Sequence, residues 1–247
     1  MLKPIRKAFK RAVRRSLGLS ETTVKKPSYG LDPLEDIIRL ADELGRRIEI
    51  VFDVGAHYGA TSAFFAEHCP HAKIYAFEPH GPSCAVFRRN IVSDAVNVFN
   101  LALSDHSGQA EFHEFGKEST LNSLEAHAPY PVRFNRKSET RIVDVDTVDA
   151  FCEKKCIRSI SVLKVDTEGH DLSVMRGASR LFERRAIDFV LFEFTNFGTL
   201  EGTQGGSLNE LGEFLDRYDF QFVATYTDYI VPKKGIFVVA NGLAVRR

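Results

Sequence analysis

From Asp32 onward, short continuous apolar runs alternate with longer stretches whose apolar residues recur every three or four positions. The first helix is predicted over residues 33–44, with Asp32 as N-cap, Pro33 at the first helical position and Gly45 at the stop. An apolar strand, Ile50–Val54, then enters a Gly-rich turn and a helix over Ala60–His68. A second strand, Lys73–Phe77, ends at Glu78-Pro79 and is followed by a helix at 82–91. A third, at 97–101, leads into Ala102-Leu103-Ser104-Asp105. Strands alternating with helices at this interval specify a parallel sheet with helices on both faces, since parallel neighbours need a crossover.

The alternation breaks at residues 109–115 and 140–145, which both read apolar-polar-apolar with no helical pattern between them. They predict an inserted antiparallel hairpin. The polar stretch between them, 116–138, carries Pro129 and Pro131 and reads as a long loop of the functional kind. Regular order then returns, with a helix at 148–155, a strand at 160–166, a helix at 172–182 and a strand at 187–194. A bridge containing Gly198, Gly202, Gly205 and Gly206 precedes a helix at 208–218 and two strands, 220–226 and 235–239. The last two are too close for a crossover helix and so form an antiparallel pair at one edge. The expected fold is α/β: a doubly wound, mostly parallel, seven-stranded sheet with an inserted hairpin and an antiparallel C-terminal edge strand. One domain, 32–247 with an insertion at about 106–146, follows a separate arm and linker at 1–31.

Charge divides the chain at the same place. The totals cancel, with 33 Lys+Arg against 33 Asp+Glu, yet residues 1–26 hold nine basic side chains and one acid. The remainder therefore carries a net −8. Within the arm, Leu2, Ile5, Phe9, Val13 and Leu17 recur at helical spacing opposite Lys and Arg, and Gly18 stops the pattern. Such a basic amphipathic segment suits peripheral contact of residues 1–20 with an anionic membrane or an acidic partner, or it is simply a solvated arm. No apolar stretch has the length of a membrane span or the form of a signal peptide. The four cysteines, Cys69, Cys84, Cys152 and Cys156, have neither disulfide-framework nor zinc spacing. The expectation is a cytoplasmic protein with reduced thiols. An acidic body with no Trp also makes a nucleic-acid partner unexpected.

Two segments suggest chemistry. In Asp53-Val54-Gly55-Ala56-His57-Tyr58-Gly59, a strand followed by Gly-x-x-x-Gly and a helix brings backbone close to a ligand at the carboxyl end of a sheet. The spacing is not the G-x-G-x-x-G of a pyrophosphate loop, and Asp53 would repel a phosphate. Glu78 ends the second strand 25 residues after Asp53, where a carboxylate takes up ribose hydroxyls. A helix-start carboxylate is the plainer alternative for Glu78. Together the two predict a nucleoside-like ligand without a phosphate to cradle.

With Tyr75-Ala76-Phe77-Glu78-Pro79, that loop resembles the first two motifs of class I S-adenosylmethionine-dependent methyltransferases. Three further segments narrow the resemblance to the FkbM family: residues 100–108, Leu163-Lys164-Val165-Asp166-Thr167-Glu168-Gly169-His170-Asp171 with Met175-Arg176-Gly177-Ala178, and Val190-Leu191-Phe192-Glu193-Phe194. The match spans about 48–225 and leaves out the arm. This chain has His170-Asp171 where that family more often has a small residue and Glu. The resemblance implies S-adenosylmethionine as cofactor. It places Asp53, Gly55, Ala56, His57 and Gly59 around the methionine part, Glu78 and Pro79 at the ribose, Asn100, Leu101, Ala102, Ser104 and Asp105 beside the adenine, and Asp166 nearest the sulfonium. It also implies an O-methyltransferase acting on a sugar, glycan, glycolipid or related small-molecule hydroxyl.

A hydroxyl is a weak nucleophile, so a base is expected, and Glu168, His170 and Glu193 all converge on the carboxyl end of the sheet. Histidine has the better-matched titration range, while either Glu could bind substrate instead. No metal-ligand motif is present, and a divalent cation enters only as an alternative occupant of those carboxylate oxygens. The structural alternatives are a helix cap for Glu168, a solvated helix start for His170 and a buried acceptor for Glu193. A nicotinamide oxidoreductase and a non-catalytic nucleoside-binding scaffold are the competing functions. The remaining histidines, His80 and His106 among them, are expected at the surface.

Overall fold

A computed structural model describes residues 29–114, 122–125, 139–194, 207–231 and 237–247, with backbone alone for 229–231 and 237–238. The basic arm, the Gly198–Gly206 bridge and all of the 116–138 loop except 122–125 lie outside the described residues.

Helix α1 (Pro33–Glu43) starts as the pattern requires, with the Asp32 side chain accepting from the backbone N–H groups of Leu34 and Glu35. Then come β1 (Ile50–Val54), α2 (Ala60–His68), β2 (Lys73–Phe77), α3 (Gly81–Asn90), β3 (Val96–Phe99), β4 (Ala102–Ser104) and β5 (Gly108–Glu114). They are followed by β6 (Glu139–Thr147), α4 (Val148–Lys154), β7 (Ile160–Val165), α5 (Asp171–Arg176), α6 (Ser179–Glu183), β8 (Ile187–Phe194), α7 (Leu208–Arg217), β9 (Phe220–Val231) and β10 (Phe237–Arg246). The main sheet has seven strands in the order β3-β2-β1-β7-β8-β10-β9. The first five are mutually parallel, β10 is antiparallel to β8, and β9 is antiparallel to β10 at the edge.

Side-chain alternation along the strands feeds two cores. Val51, Ile74, Val162, Phe189, Leu191 and Leu243 pack with Ile37 and Ala41 of α1 and Phe65 of α2. Phe52, Val54, Leu163, Val165, Val190 and Phe192 face the other way, against α4, α5, α6 and α7. The sheet is therefore wound on both faces, as the alternation predicts. Among the described residues, no helix is long and apolar enough to cross a membrane.

Four details depart from the sequence pattern. The predicted third strand stops at Phe99, and Ala102–Ser104 is a separate strand, β4, of a second sheet ordered β4-β6-β5. The expected hairpin supplies the other two strands, with β5 antiparallel to β6. The helix predicted over 172–182 breaks into α5 and α6 at Gly177, where a Cβ would lie 2.0 Å from the Ser104 carbonyl oxygen, so the chain turns to let β4 pass. Strand β10 runs to Arg246 rather than stopping near 239, because it pairs on both sides, with β8 and with β9; Gly242 leaves room for the Phe192 ring, which a Cβ would meet at 2.5 Å. Finally, Phe222, an apolar residue on a strand whose sequence suggests burial, is 44% exposed because β9 lies at the sheet edge.

Candidate active site

The site is built at the carboxyl ends of β1, β2 and β7. Gly55 leaves β1 with φ +75, and a Cβ there would sit 1.8 Å from the carbonyl oxygen of Asp166, so only glycine lets this loop lie against the end of β7. The backbone N–H groups of Gly55 and Ala56 both donate to the Phe77 carbonyl, which ties the loop to β2. Gly59, with φ +91, backs onto Phe87 and Ile91 and packs the start of α2 against α3.

Beneath the loop lies a buried charge cluster. Lys164 Nζ is 3.2 Å from Asp53 Oδ1 and 3.4 Å from Asp166 Oδ2, and it donates to the Gly55 carbonyl at 3.0 Å. Burial pushes the Lys164 ammonium down, but Asp166 and Asp53 outweigh that and hold it above its ordinary range. Asp53 also accepts from Ser62 Oγ at 2.7 Å and is fully buried. It therefore sits under the loop rather than in the pocket wall.

The pocket is lined by several of the residues the sequence singled out, namely Gly55, His57, Glu78, Pro79, Leu101, Ala102, Asp166, Glu168 and His170. At one end Glu78 is 6% exposed, and its two carboxylate oxygens accept from the backbone N–H groups of His57 and His80, each at 2.8 Å. Burial pushes this carboxyl up to about 7 despite those two donors. The His57 N–H owes its direction to a left-handed φ of 46. Its ring nitrogen Nε2 is buried without a hydrogen-bond partner, and burial, with the neighbouring His80, lowers the imidazole's pKa. An orphaned nitrogen, a carboxylate and an apolar slot of Phe77, Leu101, Leu103, Phe112 and Leu124 suit a nucleoside that carries a polar tail.

Other predicted residues build the wall from behind. Asn100 Nδ2 donates to the carbonyls of Glu78 and Pro79 at 2.9 and 2.8 Å and fixes that turn. Ser104 is fully buried. Asp105 is exposed, and its carboxyl is held below the usual range chiefly by a hydrogen bond with His106. Ala56, Gly59, Asp53, Asn100, Ser104, Asp105 and Glu193 do not reach the pocket surface.

At the opposite end, carboxylate oxygens of Asp166, Glu168 and Glu193 lie within 4.8 Å of one another, a spacing that one divalent cation could bridge. Glu168 has φ 58 and is followed by Gly169 at φ 99, so the turn after β7 is left-handed at two consecutive residues. Asp171, completely buried, braces that turn: it accepts from Thr167 N–H and Thr167 Oγ1, and from the N–H of Glu193 at 2.9 Å. Burial, reinforced by the charge of Asp166, pushes the Asp171 carboxyl up to about 7.

Two contributors have no signal of their own in the sequence. His80, expected at the surface, is 3% exposed and bonded to Ser83 Oγ at 2.7 Å. Lys164 stands inside a strand, with nothing beside it in sequence to mark its carboxylate partners. Residues 122–125, within the 116–138 stretch expected to be a functional loop, line the pocket through Asn122, Ser123 and Leu124, although the partners they meet there, more than forty residues away, carry no local signal.

A family model described as the methyltransferase FkbM domain matches residues 53–222. The 2-O-methyltransferase NoeI of Sinorhizobium fredii is 23% identical over 188 residues, covering 72% of this chain and 75% of that protein. A tRNA (guanine-N(7)-)-methyltransferase of Shewanella oneidensis is 27% identical over 158 residues, covering 62% of this chain and 65% of that protein. Among solved structures, a putative S-adenosylmethionine-dependent methyltransferase from Listeria monocytogenes superposes with a TM-score of 0.47 at 10% identity, covering 87% of this chain and 98% of that one.

Proposed function

The chain belongs to the FkbM methyltransferase family and is an S-adenosylmethionine-dependent methyltransferase, and from that premise we propose that its acceptor is a hydroxyl group of a sugar, glycan, glycolipid or related metabolite. The observation that carries the reading is the pair of pocket-lining carboxylates Asp166 and Glu168, with Glu193 buried just behind them. Transfer to an oxygen acceptor would form the new C–O bond as the donor's S–CH3 bond breaks, its electron pair remaining on sulfur, and the O–H proton would pass to a carboxylate in reach. Guanine N7, the atom named for the Shewanella relative, already offers a lone pair, so proton removal there is superfluous. Clustered carboxylates would also repel a phosphate backbone, and the body outside the first 26 residues is net acidic.

When bound, S-adenosylmethionine supplies the electrophilic methyl group; the protein supplies position. In this reading Glu78 takes the ribose hydroxyls on the lone pairs its two backbone donors leave free. His57 offers its unpartnered Nε2 to the polar tail. Asp166 balances the cationic donor and orients the acceptor, and Glu168, the pocket-lining member of the remaining pair, takes the proton. Much of the rate comes from alignment in a site that excludes water.

The test begins with calorimetry: S-adenosylhomocysteine should bind the purified protein. Radiolabelled methyl transfer is then followed to a saccharide panel and, separately, to tRNA. An alkali-stable methyl ether on a saccharide supports the reading. Label on guanine N7 of tRNA with none on saccharide refutes it, and donor binding without transfer to any acceptor points to a non-catalytic scaffold.

A further inference from the structure

His170 sits between two partners. Its Nδ1 lies 2.6 Å from Glu125 Oε1, and its Nε2 lies 2.8 Å from Ser104 Oγ. The Glu125 carboxylate is an acceptor, so Nδ1 carries a proton and donates to it, while Nε2 shares a hydrogen bond with the Ser104 hydroxyl, which also reaches Asp105 Oδ1 at 3.2 Å. The arrangement has the connectivity of a hydrolytic triad, but Ser104 is fully buried and outside the pocket wall, so its oxygen attacks nothing. The linkage is mechanical: Glu125 comes from the insertion, His170 from the turn after β7, and Ser104 from β4.

A second tie runs in parallel. Ser123 Oγ lies 3.0 Å from the Thr167 carbonyl and 3.1 Å from the Glu168 carbonyl, and its backbone pairs with His113 of β5 in both directions. The Glu125 N–H donates to the same Ser123 Oγ at 3.1 Å. The insertion therefore grips the left-handed turn on either side of Glu168: at the Thr167 and Glu168 carbonyls through Ser123, and at His170 through Glu125. A non-glycine residue in the left-handed region persists only where its surroundings hold it.

We infer that Glu125 is a positioning residue of the methyl-transfer site: by clamping His170 to the insertion, it holds the Glu168 carboxylate beside Asp166 and Glu193, where the acceptor's proton is received. This rests on the preceding reading of that end of the pocket as the acceptor end. His170 then acts through the turn, because both of its ring nitrogens are engaged. Misplacement of a reacting group by about 1 Å costs on the order of a hundredfold in rate, so loss of the clamp is read in turnover more than in donor affinity.

The experiment compares the full chain with Glu125→Ala and Glu125→Gln. Three readouts are taken: the carboxyl carbon signal of Glu168 by NMR, the affinity for S-adenosylhomocysteine by calorimetry, and S-adenosylhomocysteine release with a saccharide panel. Glu125→Ala is expected to move the Glu168 signal and to lower kcat by about tenfold or more, with donor-product affinity changed by less than about threefold. Glu125→Gln, whose amide oxygen still accepts from Nδ1–H, should recover most of both. An unmoved Glu168 signal in Glu125→Ala overturns the proposal, as does a loss of donor-product affinity that matches the loss of kcat. If the unaltered protein methylates no saccharide, the acceptor reading fails on its own, and the Glu168 signal still decides whether Glu125 holds that carboxylate.

Discussion

Glu78 offers a quantitative check on the donor end of the pocket. Its carboxyl is pushed from an ordinary 4.5 up to about 7 by burial, although two backbone N–H groups at 2.8 Å favour the charged form. Because the folded value exceeds the unfolded one, the unfolded chain releases this proton first as pH rises. The stabilising contribution is therefore complete below about pH 4.5 and lost once pH passes about 7. The loss amounts to about 3 kcal/mol at one pKa unit per 1.36 kcal/mol. Glu78→Gln abolishes that titration but turns an N–H₂ group toward one of the two backbone donors, at a pH-independent cost of about 1–3 kcal/mol. The variant should accordingly be the less stable protein at pH 4, and it should gain about 3 kcal/mol on the unaltered chain between pH 4 and pH 8. Urea denaturation at a series of pH values measures this difference directly. Ribose hydroxyls would bind the ionised carboxylate, so the affinity of the unaltered protein for S-adenosylhomocysteine should rise as pH passes through about 7, and Glu78→Gln should lose that rise. A stability difference between the two proteins that is equal at pH 4 and pH 8 would refute the argument.

Two further outcomes follow from the charge cluster and the turn. Lys164→Met leaves Asp53 and Asp166 without their shared cation and removes the donor to Gly55, so thermal denaturation should show a loss of roughly 3–5 kcal/mol. Glu168→Gly relieves a left-handed φ of 58, so it should raise stability by about 1 kcal/mol in denaturant titration while lowering methyl transfer, a split that a purely structural Glu168 would not give.

How much of this was readable beforehand depended on how local each signal was. The parallel strands β1, β2 and β7 could be read because each is a short apolar run closed by Gly, an acid or Pro and followed by a stretch long enough for a crossover helix. Gly55 and Glu78 were legible as candidates for the same reason, since a strand end followed by a turn puts side chains at the carboxyl edge of the sheet. His80 was not: its burial comes from α3 and the neighbouring insertion sheet, and nothing next to it in sequence distinguishes it from His106, which is exposed. The break at Gly177 and the continuation of β10 through Gly242 were hidden likewise, because the atoms that require glycine there belong to Ser104 and Phe192.

The sequence by itself determined the order of elements, the doubly wound sheet, and the family to which the Asp53, Glu78 and Asp166 segments pointed. Those features rest on periodicity and on residues fixed in place by the strand they terminate. Only the tertiary structure decided what each carboxylate faces: Asp53 turned under the loop onto Lys164, Glu78 held by two backbone donors, and Glu168 lodged in a left-handed turn gripped by Ser123 and Glu125 from the insertion. Electrostatic environment depends on distance in space and on burial. Neither can be read where the partners are separated by a hundred residues, as Lys164 is from Asp53 and Gly55.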